Sequence, residues 1–236
     1  MLQTALVLAM GSALVAELPK DAMKGYSTLL AETVKDGKVD YAAIESKHKA
    51  SLDAFLKAVA ETTEPTVANE ALGLYIDAYN AIVIKSVLNA KMPVQVLKVP
   101  GFFDKTTWKV AGKDLTLDAL EKTVIKNVAK ADPRTHMVLV CGAKGCPVLE
   151  NKPYSGSDSD KRMDAATKRY VKSAAGARVS DGAVQLSEIF KWYEADFGGA
   201  KGVVDFVKKH LGEDAKKLGD APKVSFLTYD WDLNKP

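Results

Sequence analysis

The stretch from residue 66 to 90 constrains the fold more than any other part of the chain. Leu72, Tyr75, Ile76, Tyr79, Ile82, Val83, Val87 and Leu88 recur there at helical spacing and cover more than one face. A helix that is apolar on several sides has to be wrapped by the rest of the chain, so the spacing predicts a central, largely buried helix. Asp77 and Asn80 lie three residues apart within that apolar context. Buried polar groups need partners, so Asn80 either caps a neighbouring loop or lines a pocket.

The remaining segments read as wrapping. Helical periodicity over 20–35 places Met23, Tyr26, Leu29, Leu30 and Val34 on one side, and over 42–60 it turns Ile44, Leu52, Phe55, Leu56 and Val59 inward. Residues 92–106 are irregular, with Phe102-Phe103-Asp104 too apolar for a free loop. Ala111-Gly112-Lys113 reads as a hairpin turn, and Thr116 or Asp118 caps a helix running to about Val128. Glu121 falls beside that helix's apolar stripe, where a carboxylate suits an ion pair or acid/base work. The apolar run at 135–141 reads as a strand. A polar helix over 158–174, a hairpin at Asp181-Gly182, a short helix after Ser187, a helix over 201–211 and a closing strand at 224–229 follow. His48, between Lys47 and Lys49, and His210, after Lys208 and Lys209, read as surface positions. No boundary has the composition of a linker, so the expectation is an α+β fold, a helix-rich single domain with a small central sheet built on 135–141 and with β-hairpins.

Charge excludes one class of partner. The net charge is +3, the lysines are dispersed among acids, and no basic tract is interleaved with aromatics. Nucleic acid is therefore not an expected partner. Residues 1–16 carry no charge, and Ala5 to Met10 is apolar, followed by Gly11-Ser12-Ala13 and then Ala16. This is the pattern of a signal peptide, although the usual basic residue before the apolar run is missing. The expectation is an exported protein whose mature domain is 17–236, with no membrane in the mature form, since the run is too short to span a bilayer as a stable helix. Export would place the cysteines where a disulfide can persist.

Both cysteines lie in one stretch, Thr135-His136-Met137-Val138-Leu139-Val140-Cys141-Gly142-Ala143-Lys144-Gly145-Cys146-Pro147. Four readings are open: a structural disulfide, a cysteine nucleophile, two reduced packing thiols, or a metal site. CxxxxC is not the usual zinc spacing, so no metal is expected. If 135–141 is one strand, His136 and Cys141 are roughly 16 Å apart on opposite faces and cannot form a dyad. Cys146 could instead cap a helical turn begun by Pro147, with Lys144 adding a positive charge that favours a thiolate. His136 would then be its base if the turn folds back, and Glu121 would orient His136. Ser/His/Asp chemistry, a phosphate-binding loop and a dinucleotide-binding glycine motif are absent, and no cofactor is expected.

Several segments together resemble the DUF547 family, a domain named for its unknown function. They are Val39-Asp40-Tyr41, Tyr75-Ile76-Asp77-Ala78-Tyr79-Asn80-Ala81, Gly101-Phe102-Phe103-Asp104, the helix start Leu115 to Glu121, Asp132-Pro133-Arg134-Thr135-His136, the cysteine turn, Phe190-Lys191-Trp192-Tyr193 with Asp196-Phe197, and Tyr229-Asp230-Trp231. They keep the family's order. The resemblance implies the family and no particular reaction. In the family a histidine usually follows the helix glutamate, whereas Lys122 stands here, so a role carried by that histidine is either lost or passes to His136.

The leading functional expectation is a cysteine-dependent hydrolase or acyl transferase acting on amide or thioester bonds. Cys146, His136 and Glu121 would be catalytic, and Asn80, Cys141 and Lys144 would bind. The alternative is a non-catalytic module for a small-molecule, peptide or glycan ligand, with a Cys141–Cys146 staple. A thiol–disulfide redox protein is the third.

Overall fold

The computed structural model describes residues 18–156 and 158–236. The expected leader, residues 1–16, lies outside the described residues. The helix Ala68–Asn89 forms the centre, with Tyr75, Ile76, Tyr79, Ile82, Val83 and Val87 all buried. It is long and apolar enough to cross a membrane, but 83% of its apolar window is covered by the protein itself. Fully burying an aliphatic or aromatic side chain is worth about 1.5–3 kcal/mol, so burial along this helix contributes a large share of the core's stability.

Helices Lys20–Thr33 and Lys49–Glu61 pack together on one side, with the Tyr26 and Phe55 rings stacked at 4.0 Å. The periodic stretch expected over 42–60 is interrupted by a wider π-turn, Ile44–His48. Its last residue, His48, was expected at the surface. Instead its ring is only 11% exposed and lies 3.1 Å from the Glu32 carboxylate on the neighbouring helix. The flanking lysines hide this in the sequence, because the π-turn adds a residue to the turn and rotates the face that follows. A second π-turn, Leu120–Ile125, carries Glu121. It continues a helical start capped by Thr116, whose hydroxyl accepts from the Ala119 N–H at 3.1 Å.

The expected strand over 135–141 is not a strand. Asp132-Pro133 opens a 3-10 turn, Pro133–Met137, in which the Asp132 carboxylate accepts from the Arg134 N–H at 2.9 Å. Residues 138–140 are buried but pair with a side chain. Asn80 Nδ2 donates to the Val138 carbonyl at 3.1 Å, and Asn80 Oδ1 accepts from the Val140 N–H at 2.9 Å. A short apolar run bounded by turns is consistent with a strand or any other buried segment; here the helix, through Asn80, stands where a neighbouring strand would.

Asp77 does the same one turn earlier. It accepts from the Tyr154 N–H at 2.7 Å, the Ser155 N–H at 2.8 Å and the Ser155 hydroxyl at 2.6 Å. Gly73 makes room for this segment, since a Cβ there would meet the Tyr154 carbonyl and the Ser155 Cα at 3.0 Å.

The sheets are small and peripheral. Trp108–Val110 pairs antiparallel with Lys113–Leu115. Ala177–Ser180 pairs antiparallel with Ala183–Leu186 through the Asp181-Gly182 turn, and Lys223–Phe226 joins Ala183–Leu186 in parallel. The fold is thus helix-rich α+β around one continuous core, and the sheet lies at the side of that core. His210, also expected at the surface, is 2% exposed. Its helix, Gly199–Leu211, turns that position toward the helix Ser159–Val171, where Nδ1 lies 2.8 Å from the Phe206 carbonyl and Nε2 lies 3.8 Å from Asp164. Burial pulls its imidazole below the ordinary value.

Candidate functional site

The cysteine turn is shaped by its glycines and pinned by the C-terminal segment. Gly142 has φ 88°, a left-handed conformation that favours glycine. The Lys144 N–H donates to the Asp232 carbonyl at 2.7 Å, the Gly145 N–H to Asp230 at 2.8 Å, and the Asn234 N–H to Gly142 at 3.0 Å. Gly145 permits close approach of Tyr229, whose ring a Cβ would meet at 3.0 Å. The Tyr229 hydroxyl lies 3.2 Å from Cys146 Sγ and 3.4 Å from Cys141 Sγ.

Cys141 and Cys146 are at disulfide distance, with their Cα atoms 6.2 Å apart, inside the span that bridging needs. Their environments differ. Cys146 is the buried one, at 7% exposure, and Cys141 is partly open. No helix follows Pro147, so Cys146 caps nothing. The Cys141 N–H points at Cys146 Sγ at 3.0 Å.

His136 is held by the 3-10 turn that replaced the expected strand. Its ring is 8% exposed and stacks on Tyr193 at 3.9 Å. Nε2 lies 3.0 Å from Asp196 Oδ2, a hydrogen bond, and Nδ1 lies 3.8 Å from Glu121 Oε1. The second distance is too long for a hydrogen bond, and Nδ1 is buried with no hydrogen-bond partner. Burial pushes the Glu121 carboxyl up, but the polar pull of His136, Tyr193 and Tyr79 outweighs it and holds the group below the usual carboxylate range. Asp196 is likewise held low: burial works against the ion, and Lys126, 2.5 Å away, and His136 overcome it. The two carboxylates approach opposite nitrogens of one ring rather than a common point. Among the described residues no group of three His, Cys, Asp or Glu is arranged to hold a metal ion.

These parts meet in a cavity of about 450 Å³. Cys146, Cys141, His136 and Glu121 all line it. Of the expected binding residues, Asn80 and Lys144 do not. Asn80 supports the wall from behind by holding residues 138–140. The Lys144 side chain is half exposed and lies 3.8 Å from Asp232. Lys122, standing where the family usually has histidine, is also off the wall and binds Asp118 at 2.8 Å. The sequence reading missed Asp196 and the aromatic face as site residues. Trp192 and Trp231 stack at 5.6 Å, and Tyr229 packs against both, at 4.8 Å and 4.7 Å. Their signal was the density of aromatics in Trp192-Tyr193 and Tyr229-Asp230-Trp231, two short motifs far apart in the chain.

The family model described as a protein of unknown function, DUF547, matches residues 63–171. Over that segment, a little less than half of the chain, the protein is similar to the DUF547 family. Glu121, His136 and both cysteines fall inside the DUF547 match, whereas Trp192, Tyr193, Asp196, Tyr229 and Trp231 fall outside it. The cavity is therefore built jointly by the matched segment and the chain that follows it. No curated protein and no solved structure matches the chain.

Proposed function

We propose that this chain is a non-catalytic binding module whose aromatic cleft receives a small molecule or one side-chain-sized group, with Cys141–Cys146 bridged as a staple in the cleft wall. The observation that carries the reading is the engagement of His136. A thiol's general base needs a free ring nitrogen within hydrogen-bond reach of the sulfur. Here Nε2 is taken by Asp196 and Nδ1 faces Glu121. The Asp196 bond orients the ring, and no hydrogen bond joins either ring nitrogen to a cysteine sulfur. The cysteines support the same reading, since each sulfur lies at bonding distance from the other. The cavity has the size of a small-ligand site and the mixture of aromatic walls with a few polar groups that such sites use. The uncharged residues 1–16, with the apolar run Ala5 to Met10, support export, which would keep the bridge oxidised.

The test pairs binding with turnover. Quenching of tryptophan fluorescence by a neutral aromatic probe, 2-phenylethanol, should saturate in the wild type and be lost in Trp192→Ala at unchanged Tm. Amide and thioester ester-type substrates should not be turned over. Hydrolysis that disappears in Cys146→Ser would overturn the reading in favour of a cysteine hydrolase.

A further inference from the structure

The cavity has a charge character that the chain as a whole lacks. The protein is net basic, at +3 with 33 lysines and arginines, yet no lysine or arginine lines the cavity, while Asp104, Asp118 and Glu121 do. Asp118 is compensated by Lys122 and Asp196 by Lys126. Asp104 is exposed at the rim, and no ion-pair partner is found for it among the described residues. Glu121 has no lysine or arginine partner; it faces the His136 ring at 3.8 Å and the Tyr79 and Tyr193 hydroxyls. Beside Glu121 lies the buried His136 Nδ1 with no hydrogen-bond partner. An N–H donor placed there would satisfy a ring lone pair and a carboxylate oxygen together. Tyr79, Tyr193, Tyr229, Trp192 and Trp231 line the same cavity, and aromatic rings attract cations. An anionic ligand would meet carboxylates and no lysine or arginine in the lining.

We infer that the cleft selects an organic ammonium carried on an apolar or aromatic body, with the ammonium at Glu121 and His136 Nδ1 and the body against the Trp192–Trp231 face. This rests on the binding-module reading and adds the ligand's charge to it.

The experiment uses three probes with nearly the same body: phenethylammonium, neutral 2-phenylethanol and anionic 3-phenylpropionate. Binding to the full chain is read by tryptophan fluorescence at pH 7 and low salt. The ammonium should bind at least about ten-fold tighter than the alcohol, and the carboxylate more weakly than the alcohol. Added salt should narrow the gap. Glu121→Gln should abolish the preference for the ammonium. Because Glu121 also contacts its aromatic neighbours, Asp104→Asn, at an exposed position, serves as the second variant; it should reduce the preference roughly three-fold without changing Tm. Equal binding of ammonium and alcohol would overturn the charge selection while leaving the cleft reading intact. Tighter binding of the carboxylate would also overturn it. Failure of all three probes to bind would overturn both.

Discussion

His136 Nε2 and Asp196 Oδ2 lie 3.0 Å apart although 60 residues separate them in the chain. The bond joins the matched DUF547 segment to the aromatic segment that completes the cavity. It also fixes the ring against Tyr193 at 3.9 Å. Asp196→Ala removes the acceptor, leaves the buried ring N–H unpaired and frees Lys126. The expected loss of stability is about 1–3 kcal/mol, read by urea unfolding at pH 7. The Asp196 carboxyl is held low in the folded state, so its contribution is present above the unfolded value near 4 and is lost as pH falls through the folded value. The difference between wild type and Asp196→Ala should therefore shrink on acidification. A difference that grows at low pH would contradict this assignment.

Asn80 supplies both hydrogen bonds to the 138–140 backbone. Asn80→Ala leaves a buried N–H and a buried carbonyl unsatisfied, each costing about 1–3 kcal/mol. Urea unfolding should show a loss of roughly 2–5 kcal/mol, well beyond that of an exposed substitution such as Lys144→Ala. A near-neutral Asn80→Ala would mean that this segment is held by something else.

Asp77 gives the opposite pH signature to Asp196. Burial raises its carboxyl from 3.8 to about 6, despite the hydrogen bonds from Ser155 and Tyr154 and the nearby Arg162. The folded state then holds the proton more tightly than the unfolded state. The stability tied to this group is fully present below about 4 and falls as pH rises to about 6. A shift of about two units corresponds to ~3 kcal/mol. Wild-type stability measured against pH, relative to Asp77→Asn, should decline across that window. A rise across the same window would show that the three donors outweigh burial.

The central helix was legible because its apolar residues are dense enough to read without knowing their partners, and the Thr116 cap and the Asp181-Gly182 hairpin were legible because turn and cap chemistry is local. The strand expected at 135–141 failed for a non-local reason. Its partner is the Asn80 side chain, 58 residues from Val138, and an apolar run looks the same beside either neighbour. The failure mattered for the site. In an extended strand His136 and Cys141 would have faced apart, whereas the Pro133–Met137 turn puts both on one wall. His48 and His210 misled because neighbouring lysines suggested solvent, while a π-turn leaves His48 mostly covered and a helix–helix contact buries His210. Glu121, His136 and the cysteines could be found from motif context. Asp196 and the Trp192–Trp231 face stood in motifs too, but nothing in the sequence tied them to the cysteine turn, because that connection exists only once the C-terminal segment has docked on it.

The staple carries its own stability prediction. Closing a loop of this length constrains the unfolded chain by roughly 2 kcal/mol in the chain-entropy account. Reduction of the wild type should lower stability by about that amount, and the double substitution Cys141→Ser with Cys146→Ser should match the reduced protein. A reduced wild type as stable as the oxidised one would show that the pair does not staple the wall.

The central claim is that Cys146 is a bridged wall residue and His136 is not its base. The most direct measurement is intact mass after denaturation without reductant in the presence of iodoacetamide, on protein produced in an oxidising compartment. The account predicts no alkylation before reduction and two alkylated thiols after it. Two thiols labelled before reduction, with native-state labelling of Cys146 that follows a depressed pKa and is lost in His136→Ala, would contradict it.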